Sequence, residues 1–551
     1  MSRVLIVGLD GATWTSLKPL IEQGVMPYVA ELIESGSSGV LESVMPPVTA
    51  PAWASFMTGK YPDKHGILDF RHFDPITKCG YITNASSIKG KTLWQIISEF
   101  GKKVIVINVP YTYPVYPVNG ILISGFDAPS KDAGCYYPAS VRQEIESRFP
   151  AYSSVLPVWS MRELSSSRKR IQYIRQLVAS VRLRTQVALY LLVRHDWDVA
   201  MIHYQELDFV QHVMWDRILQ AIQAVDKDEI SEELFSFFKV LDNSINLLVS
   251  NALQSASGNM NLFLISDHGF GDHKGVVYPN LALENMGWLC RAKGQRKEDN
   301  QLFKIAVSRL MKKMAGSKSA ILCYVYHSLV ELYCKLTNRI PETLYDELQQ
   351  KNVWVCKIDW DKTRAAMVTG DMCAFIFVRD IGDVPACLQE LRALTNPDTC
   401  EPVFRAVWTF EEAYGRHCEE PYHHLIIALP QEGYSVSTGF AETIVRSCAF
   451  PGDYPGIHRP EGILVASGPD IRRGIWTRAS LVDIAPTVLH LLDLPIPDDM
   501  DGRLTLDILA VEREPKIIPV SDYMPPTGKL EYSDEERAMI EKRLRALGYL
   551  Q

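Results

Sequence analysis

The sequence predicts an α/β protein: a three-layer α/β/α core with a mostly parallel sheet, plus a helical insert and a small α+β insert. Short apolar runs, for example at 4–9, 199–204 and 262–266, alternate with long helical stretches at about 161–194 and 232–256. This alternation is typical of a parallel sheet that helices cover on both faces. Several of the runs end in Asp or His, and ligands of open α/β sheets gather where the strands end.

The other elements follow in chain order, and the alternation stops between about 290 and 424. Further strands are predicted at 40–44, 103–109, 121–124, 364–368, 374–378, 403–408 and 463–466, with helices at 51–58, 384–394, 481–492 and 533–547. We therefore predict five segments: the first part of the catalytic core at 1–290, a helical insert and candidate cap at 291–350, a small α+β insert at 351–424, the second part of the core at 425–510, and a C-terminal tail with a helix at 511–551.

Composition narrows the function classes. The chain has 551 residues and a net charge of −8, whereas nucleic-acid binders usually carry a basic surplus, so we expect no nucleic-acid binding. No apolar stretch reaches ~18 residues without charge, so no transmembrane segment is expected. The first strand begins almost at once, so we expect no signal peptide. The 11 cysteines are scattered and form no C-x-x-C pair, which fits reduced thiols and a cytoplasmic protein.

Seven side chains have the positions that a two-metal site needs. They are Asp10, Thr49, Asp208, His212, Asp267, His268 and His458. Asp10, Asp208 and Asp267 each follow an apolar run, His212 lies one helical turn after Asp208, and His458 lies just before another run. Any one such residue could equally cap a helix or satisfy a loop. That simpler interpretation is much weaker for all seven together.

Two divalent cations roughly 4 Å apart can hold both the attacking and the leaving oxygen of a displacement at phosphorus. Carboxylate and imidazole ligands suit Zn, which we expect here, and also Mn or Fe. A hydroxyl bound to such a cation loses its proton far below its normal pKa, as bound water does. Thr49 can therefore be a nucleophile without a neighbouring base.

Several segments resemble, in order, those of the alkaline phosphatase superfamily. They are 4–11, 46–66, Asp208-x-x-x-His212, Ser266-Asp-His-Gly-Phe270, Gly456-Ile-His458, 483–489 and 499–502. The resemblance is to its type I phosphodiesterase/nucleotide pyrophosphatase branch, with the predicted phosphohydrolase/phosphomutase group nearest. It implies an alkaline-phosphatase-like fold. It also implies two ion sites: Asp10, Thr49, Asp267 and His268 would hold one ion, and Asp208, His212 and His458 the other.

The nucleophile segment departs from the branch it resembles. Nucleotide pyrophosphatases read Thr-Phe-Pro-Asn there, and their Asn holds a phosphate oxygen, whereas this chain has Ala52 in that place. Backbone N–H groups after Thr49 could take over this contact, because a helix N-terminus favours an anion. Trp53 could wall a substrate pocket, although a core aromatic is the favoured interpretation. A formylglycine sulfatase is not expected, since the C/S-x-P-x-R motif is missing.

These observations predict a metal-dependent phosphohydrolase that acts on a small-molecule phosphate ester through a phospho-threonine on Thr49. A phosphodiesterase or pyrophosphatase is favoured, because no Arg near Thr49 in the sequence would clamp a third free phosphate oxygen. A phosphomonoesterase or a phosphomutase-like phosphotransferase on the same fold remains the alternative. A non-catalytic binding module is a further alternative, but it would have no need of a hydroxyl nucleophile between two ions.

The stretch 291–318 runs against the acidic background of the chain. It contains nine Lys or Arg but only two acids, Glu298 and Asp299. A solvated basic face on a packed helix is the favoured interpretation. The alternative is a cap that attracts an anionic substrate or makes peripheral contact with an anionic membrane surface.

Overall fold

The computed structural model describes residues 3–74, 79–130, 134–156, 158–161, 163–291, 358–418, 421–448, 453–520 and 532–546. The predicted helical insert at 291–350, and with it the basic stretch 291–318, lies outside the described residues except for Arg291. In the ranges that are described, no helix is both long and apolar enough to cross a membrane.

The helices and strands alternate over most of the chain. The helices are α1 (Trp14–Glu22), α2 (Pro27–Ser35), α3 (Thr49–Thr58), α4 (Pro62–His65), α5 (Leu93–Glu99), α6 (Ser140–Arg148), α7 (Ser167–Arg194), α8 (Glu206–Gln223), α9 (Glu229–Ser255), α10 (Pro279–Asn285), α11 (Val384–Arg392), α12 (Phe410–Tyr414), α13 (Ile484–Leu491) and α14 (Asp534–Ala546). The strands are β1 (Arg3–Leu9), β2 (Ser37–Glu42), β3 (Arg71–Asp74), β4 (Cys79–Ile82), β5 (Val104–Ile107), β6 (Gly120–Ile123), β7 (Tyr136–Tyr137), β8 (Val199–Tyr204), β9 (Met260–Ile265), β10 (Gly269–Asp272), β11 (Gly275–Val277), β12 (Ala365–Thr369), β13 (Ala374–Val378), β14 (Phe404–Thr409), β15 (Leu425–Pro430), β16 (Tyr434–Val436), β17 (Val445–Ser447), β18 (Gly456–Arg459), β19 (Glu461–Ser467), β20 (Trp476–Ser480), β21 (Ile496–Pro497) and β22 (Ile517–Ile518).

A nine-stranded sheet forms the centre, in the order β20-β2-β19-β9-β1-β8-β5-β6-β7. Strand β1 pairs in parallel with both β8 and β9, and β5 pairs in parallel with β8 and β6. Strand β19 is antiparallel to both β9 and β2. Every residue of β8 and β9 is buried, which requires cover on both faces of the sheet. The predicted α/β class with a mostly parallel sheet is confirmed.

A second, antiparallel sheet has the order β12-β13-β15-β14, and α11 packs against it. Its first strands and helix lie within two residues of the α+β elements expected from the sequence. We expected the second part of the core to begin at 425. Strand β15 begins there, but it pairs with β13 and β14 and not with the central sheet. The apolar run of β15 suits a buried strand of either sheet, so the sequence alone does not assign it.

The C-terminal helix α14, predicted at 533–547, begins with a capping box: the Ser533 Oγ accepts the Glu536 N–H, and the Glu536 carboxylate accepts the Ser533 N–H. Further along the helix, the Arg543 guanidinium donates to the carbonyl oxygens of Phe126 and Ala128. These contacts fasten the helix to loops that follow β6 in the central sheet.

Candidate metal centre

The central strands deliver most of the predicted site residues to one edge of the sheet. Asp10 follows β1 directly, and Asp267 and His268 follow β9. Asp208 and His212 lie on α8, which begins just after β8. Because β1, β8 and β9 are parallel neighbours, their carboxyl ends meet at the same edge.

Two further elements complete the set. Thr49 is the first residue of α3, a helix whose residues are all buried, with Val48 at its N-cap position. His458 lies on β18, where it pairs with Phe270 of β10, the strand that follows His268. The β10–β18 pair therefore carries His458 back to the edge at which the central strands end.

The first group of side chains surrounds the nitrogen Nε2 of His268. This atom lies 3.2 Å from the Thr49 Oγ1, 3.2 Å from the Asp267 Oδ2 and 3.6 Å from the Asp10 Oδ1. One ligand atom from each of Asp10, Asp267 and His268 fits within a 4.8 Å separation. All four side chains are buried.

The second group surrounds Asp208. Its Oδ1 lies 3.4 Å from the His212 Nε2 and 3.3 Å from the His458 Nε2, and these two nitrogens are 3.0 Å apart. The His268 and His458 rings stack with centroids 3.6 Å apart, so the two groups adjoin. His268 also lies within 4.8 Å of ligand atoms of Asp208 and His458, and so stands between the groups.

The donor arrangement around His268 fits a cation. The His268 Nδ1 lies 3.1 Å from the Gly269 carbonyl oxygen, which can only accept, so Nδ1 carries the proton. Burial lowers the pKa of His268 well below its usual value, and the neutral ring then points the Nε2 lone pair at two carboxyl groups. In the described part of the chain, the buried Asp10 Oδ1 and Asp267 Oδ2 have no hydrogen-bond donor. A positive ion would satisfy all three atoms.

The carboxyl groups differ in how their surroundings affect their charge. Burial, together with repulsion from Asp267 and Asp208, raises the pKa of Asp10 well above its usual value. Burial also raises the pKa of Asp267. Burial acts in the same direction on Asp208, but the charge and hydrogen bonds of His212 and His458 hold its pKa well below the usual range. Without an ion, the group around His268 therefore tends to hold protons.

Trp53 and His203 hold the Asp10 carboxylate from behind. The Trp53 indole N–H donates to the Asp10 Oδ2 at 2.9 Å, and the His203 Nε2 lies 3.0 Å from the same oxygen. Burial lowers the pKa of His203 well below its usual value, so a neutral ring donates this bond. Trp53 is fully buried, and its indole N–H contacts a candidate metal ligand. From the sequence we had considered a contact with substrate for this side chain.

The role of His203 was missed in the sequence, where a histidine inside a strand is expected to be an ordinary buried residue. The register supplies the missing signal, because His203 of β8 lies opposite Gly8, two residues before Asp10. A Cβ at Gly8 would lie 2.8 Å from the Trp53 ring and 3.1 Å from the His203 ring. The glycine therefore leaves room for both donors beside the carboxylate.

Backbone groups position two more candidate ligands. The Gly11 N–H donates to the Asp267 Oδ1 at 3.2 Å. The His458 Nδ1 lies 3.1 Å from the Pro47 carbonyl oxygen, so its Nε2 is the atom that faces Asp208. The segment that carries Thr49 thus also orients an imidazole of the second group.

Three comparisons with known proteins show what this chain is similar to. A model of the family described as "Type I phosphodiesterase / nucleotide pyrophosphatase" matches residues 4–443. No curated protein matches the chain in a sequence search. Among solved structures, an inactive variant of murine ectonucleotide pyrophosphatase / phosphodiesterase 5 in complex with AMP is similar, with 14% identity, a TM-score of 0.47 and coverage of 93% of this chain and 100% of that chain. The human protein of that name has 14% identity, a TM-score of 0.46 and coverage of 92% and 100%.

Proposed function

Because this chain belongs to the type I phosphodiesterase / nucleotide pyrophosphatase family and is a hydrolase of phosphoric ester bonds, we propose that it cleaves a small-molecule phosphodiester or pyrophosphate through a phospho-threonine at Thr49. The proposed site holds two divalent ions. Members of the family depend on metal ions, and a nucleotide substrate fits the family.

One observation carries this proposal: the Thr49 hydroxyl contacts the nitrogen on which two carboxyl groups converge. The Thr49 Oγ1 is 3.2 Å from the His268 Nε2, and Asp10 and Asp267 lie against the same nitrogen. If Thr49 served only to begin α3, its hydroxyl would not need to lie beside an imidazole nitrogen and two carboxyl groups. An ion bound by these donors would occupy the His268 Nε2 lone pair, so the ion and not a free base would favour loss of the Thr49 proton.

The donor chemistry suggests how the ions divide. Asp10, Thr49, Asp267 and His268 would hold one ion, with Asp208, His212 and His458 holding the other, and Zn²⁺ suits this mixture of imidazole and carboxylate donors. When bound, two such ions supply positive charge that favours the deprotonated Thr49 hydroxyl and neutralises charge on the phosphoryl oxygens. Asp10 keeps its orientation because Trp53 and His203 both donate to its other oxygen.

The proposed reaction has two displacements at phosphorus. Thr49 Oγ1, after losing its proton, forms a bond to phosphorus, and the bond to the leaving oxygen breaks with its electron pair. A water molecule then attacks the phospho-threonine, and the Thr49 oxygen departs and regains a proton. The Ala50 N–H belongs to the first turn of α3, where N–H groups lack intrahelical acceptors, and would donate to a phosphoryl oxygen in place of the missing Asn.

A diester or pyrophosphate is favoured over a monoester by charge. Arg459, the arginine next to His458 in the sequence, donates to the carbonyl oxygens of His458 and Asp272, so its guanidinium is already engaged. A monoester would bring one more charged oxygen to the site than a diester does. The Ala52 side chain adds no donor for it.

A substrate panel tests the proposal. Metal is removed from the protein with a chelator, and Zn²⁺ or Mn²⁺ is then restored. Turnover is measured on a chromogenic diester, a pyrophosphate and a monoester, with and without an alcohol acceptor. We expect metal-dependent turnover, fastest on the diester or pyrophosphate, with water as acceptor. Preferred monoester turnover or transfer to the alcohol would replace the proposal by the phosphatase or phosphotransferase alternative, and equal turnover without metal would refute the metal-dependent mechanism.

A further inference from the structure

A second group of ligand-type side chains lies on the segment that joins β14 to β15. Glu411 is on α12, His417 follows that helix, and His423 is in the 3₁₀ turn Tyr422–His424. The Glu411 Oε1 lies 2.6 Å from the His417 Nδ1 and 3.9 Å from the His423 Nε2. One ligand atom from each of the three residues lies within 4.8 Å of the others.

The backbone under this group is fixed by packing. The Phe410 and Tyr422 rings stack with centroids 4.6 Å apart and planes 10° apart, and each ring immediately precedes one of the ligand-type residues. Between them, Gly415 ends α12 in the left-handed conformation, at φ 66°, and turns the chain. The Cys418 N–H then donates to the Glu411 Oε1 at 3.2 Å, which closes the loop on the carboxylate.

Two side chains, Tyr414 and Arg416, fasten the same loop to the core. The Tyr414 hydroxyl donates to the Met45 carbonyl oxygen at 2.7 Å, four residues before Thr49. Arg416 forms ion pairs with Asp63, at 2.6 Å, and with Asp501, at 2.7 Å. The three side chains therefore sit on a braced turn, and an ion would need to order little more than the side chains themselves.

We propose that Glu411, His417 and His423 form a further divalent transition-metal site, of the class that Zn²⁺ occupies. Two imidazoles and one carboxylate are a donor set that Zn takes with a fourth position open to water. Bonds of about 2.0–2.1 Å in tetrahedral geometry place ligand atoms about 3.3 Å apart. The observed 2.6 Å and 3.9 Å lie on either side of that value, so each of these two separations would change by less than about 1 Å when an ion binds.

The site shares no residue with the candidate metal centre, and the proposal does not rest on the proposed function. The His417 side chain is 83% exposed, which leaves the site open to an ion from solution. Because the Tyr414 hydroxyl donates to the Met45 carbonyl oxygen, an ion at this site would also stabilise the segment that leads into α3. The competing interpretation is a surface ion pair between Glu411 and His417, with His423 only nearby.

Metal content of the full chain tests this inference. Three proteins are compared: wild type, a His417→Ala/His423→Gln variant and a His195→Ala variant. Each is stripped of metal with a chelator, loaded with Zn²⁺, desalted and analysed for the number of ions per chain. His195 is the matched control, because it contacts Glu144 at 3.2 Å in a surface pair for which the described residues supply no third ligand. We expect the double variant to hold one ion fewer than wild type and the control to match wild type. The comparison is a difference, so it stands whatever the metal centre binds.

A second measurement guards against an unfolded variant. Without metal, the double variant and wild type should melt at the same temperature. A competition titration with a chromogenic chelator should show that wild type withdraws one more Zn²⁺ per chain from the chelator than the variant does. Equal ion content and equal titrations, or an equal loss in the His195→Ala control, would overturn the proposal and leave a surface ion pair.

Discussion

The Trp53 indole N–H and the Asp10 carboxylate form a hydrogen bond of 2.9 Å between two fully buried side chains. The bond uses Oδ2, to which His203 also donates, and leaves Oδ1 facing His268. The two oxygens of one carboxylate thus have separate tasks, because one is held by the protein and the other is left for a ligand. Outer partners of this kind fix ligand orientation and affinity.

Trp53→Phe should weaken metal binding by about 10–100-fold, because it removes the donor to Asp10 and keeps most of the ring. Trp94→Phe is the matched control: Trp94 is buried in the same cluster, and its indole N–H has no acceptor among the described residues. Competition titrations with a chelator measure both variants. Similar weakening in the two variants would mean that ring packing, and not the hydrogen bond, sets the affinity.

Thr49→Ala should fold and bind metal but lose turnover by about 10³-fold or more, because no hydroxyl is left to attack phosphorus. Thr49→Ser should keep part of the activity. Diester turnover gives the rates, and intact-mass measurement of quenched reactions should find a phosphoryl adduct in wild type and none in Thr49→Ala. A near wild-type rate for Thr49→Ala would rule out the covalent route.

Purified protein with Zn²⁺ restored should hold two ions at the metal centre, and Asp208→Asn combined with His212→Ala should remove one of them. The reason is that both substituted residues belong to the group around Asp208, whereas the group around His268 stays intact. Metal analysis in a His417→Ala/His423→Gln background keeps the further site out of the count. Chelation should abolish diester turnover, and circular dichroism should show that it leaves most of the fold. Loss of both ions from the variant would show that the groups do not bind independently.

The free energy of unfolding should depend on pH through the buried side chain of His65. Burial, and then the charge of Lys60, lowers the pKa of His65 to about 3 in the folded protein. The unfolded chain takes up this proton near pH 6.5, so its share of stability is intact above that pH and falls as the pH drops toward 3. Between pH 7 and pH 5 the loss is about 2 kcal/mol.

Urea unfolding of metal-free protein at both pH values measures this loss, with His65→Gln as comparison. The variant loses the hydrogen bond of His65 to the Ser55 hydroxyl and should be less stable at pH 7, but its free energy of unfolding should fall by about 2 kcal/mol less on acidification. Equal falls in both proteins would mean that His65 is already exposed to solvent protons.

The sheet and the positions of the candidate ligands could be predicted because both depend on local pattern. Apolar runs such as those of β1 and β9 predict buried strands, and a polar residue just after each run indicates the edge of the sheet. The pairing between strands could not be predicted in the same way. The part played by His203 depends on its lying opposite Gly8, and that register comes from long-range packing.

The Glu411, His417 and His423 group illustrates the same limit. Its residues are six positions apart, which in a helix would turn them to different faces and in a strand would leave neighbours about 20 Å apart. The stack of Phe410 on Tyr422 brings them together, and these two rings lie just after β14 and just before β15, which pair with each other. Side chains that gather through tertiary contacts leave no periodic signal in the chain.

The stack of His268 on His458, with centroids 3.6 Å apart, joins residues from distant parts of the chain and so bears on biosynthesis. A nascent chain that a ribosome has extended only through β10 already carries Asp10, Thr49, Asp267 and His268, while His458 has yet to be made. The protein emerging from the ribosome would therefore acquire its two donor groups one after the other. A truncated translation product that ended before β18 would therefore keep the donors around His268 but lack the His458 imidazole of the second group.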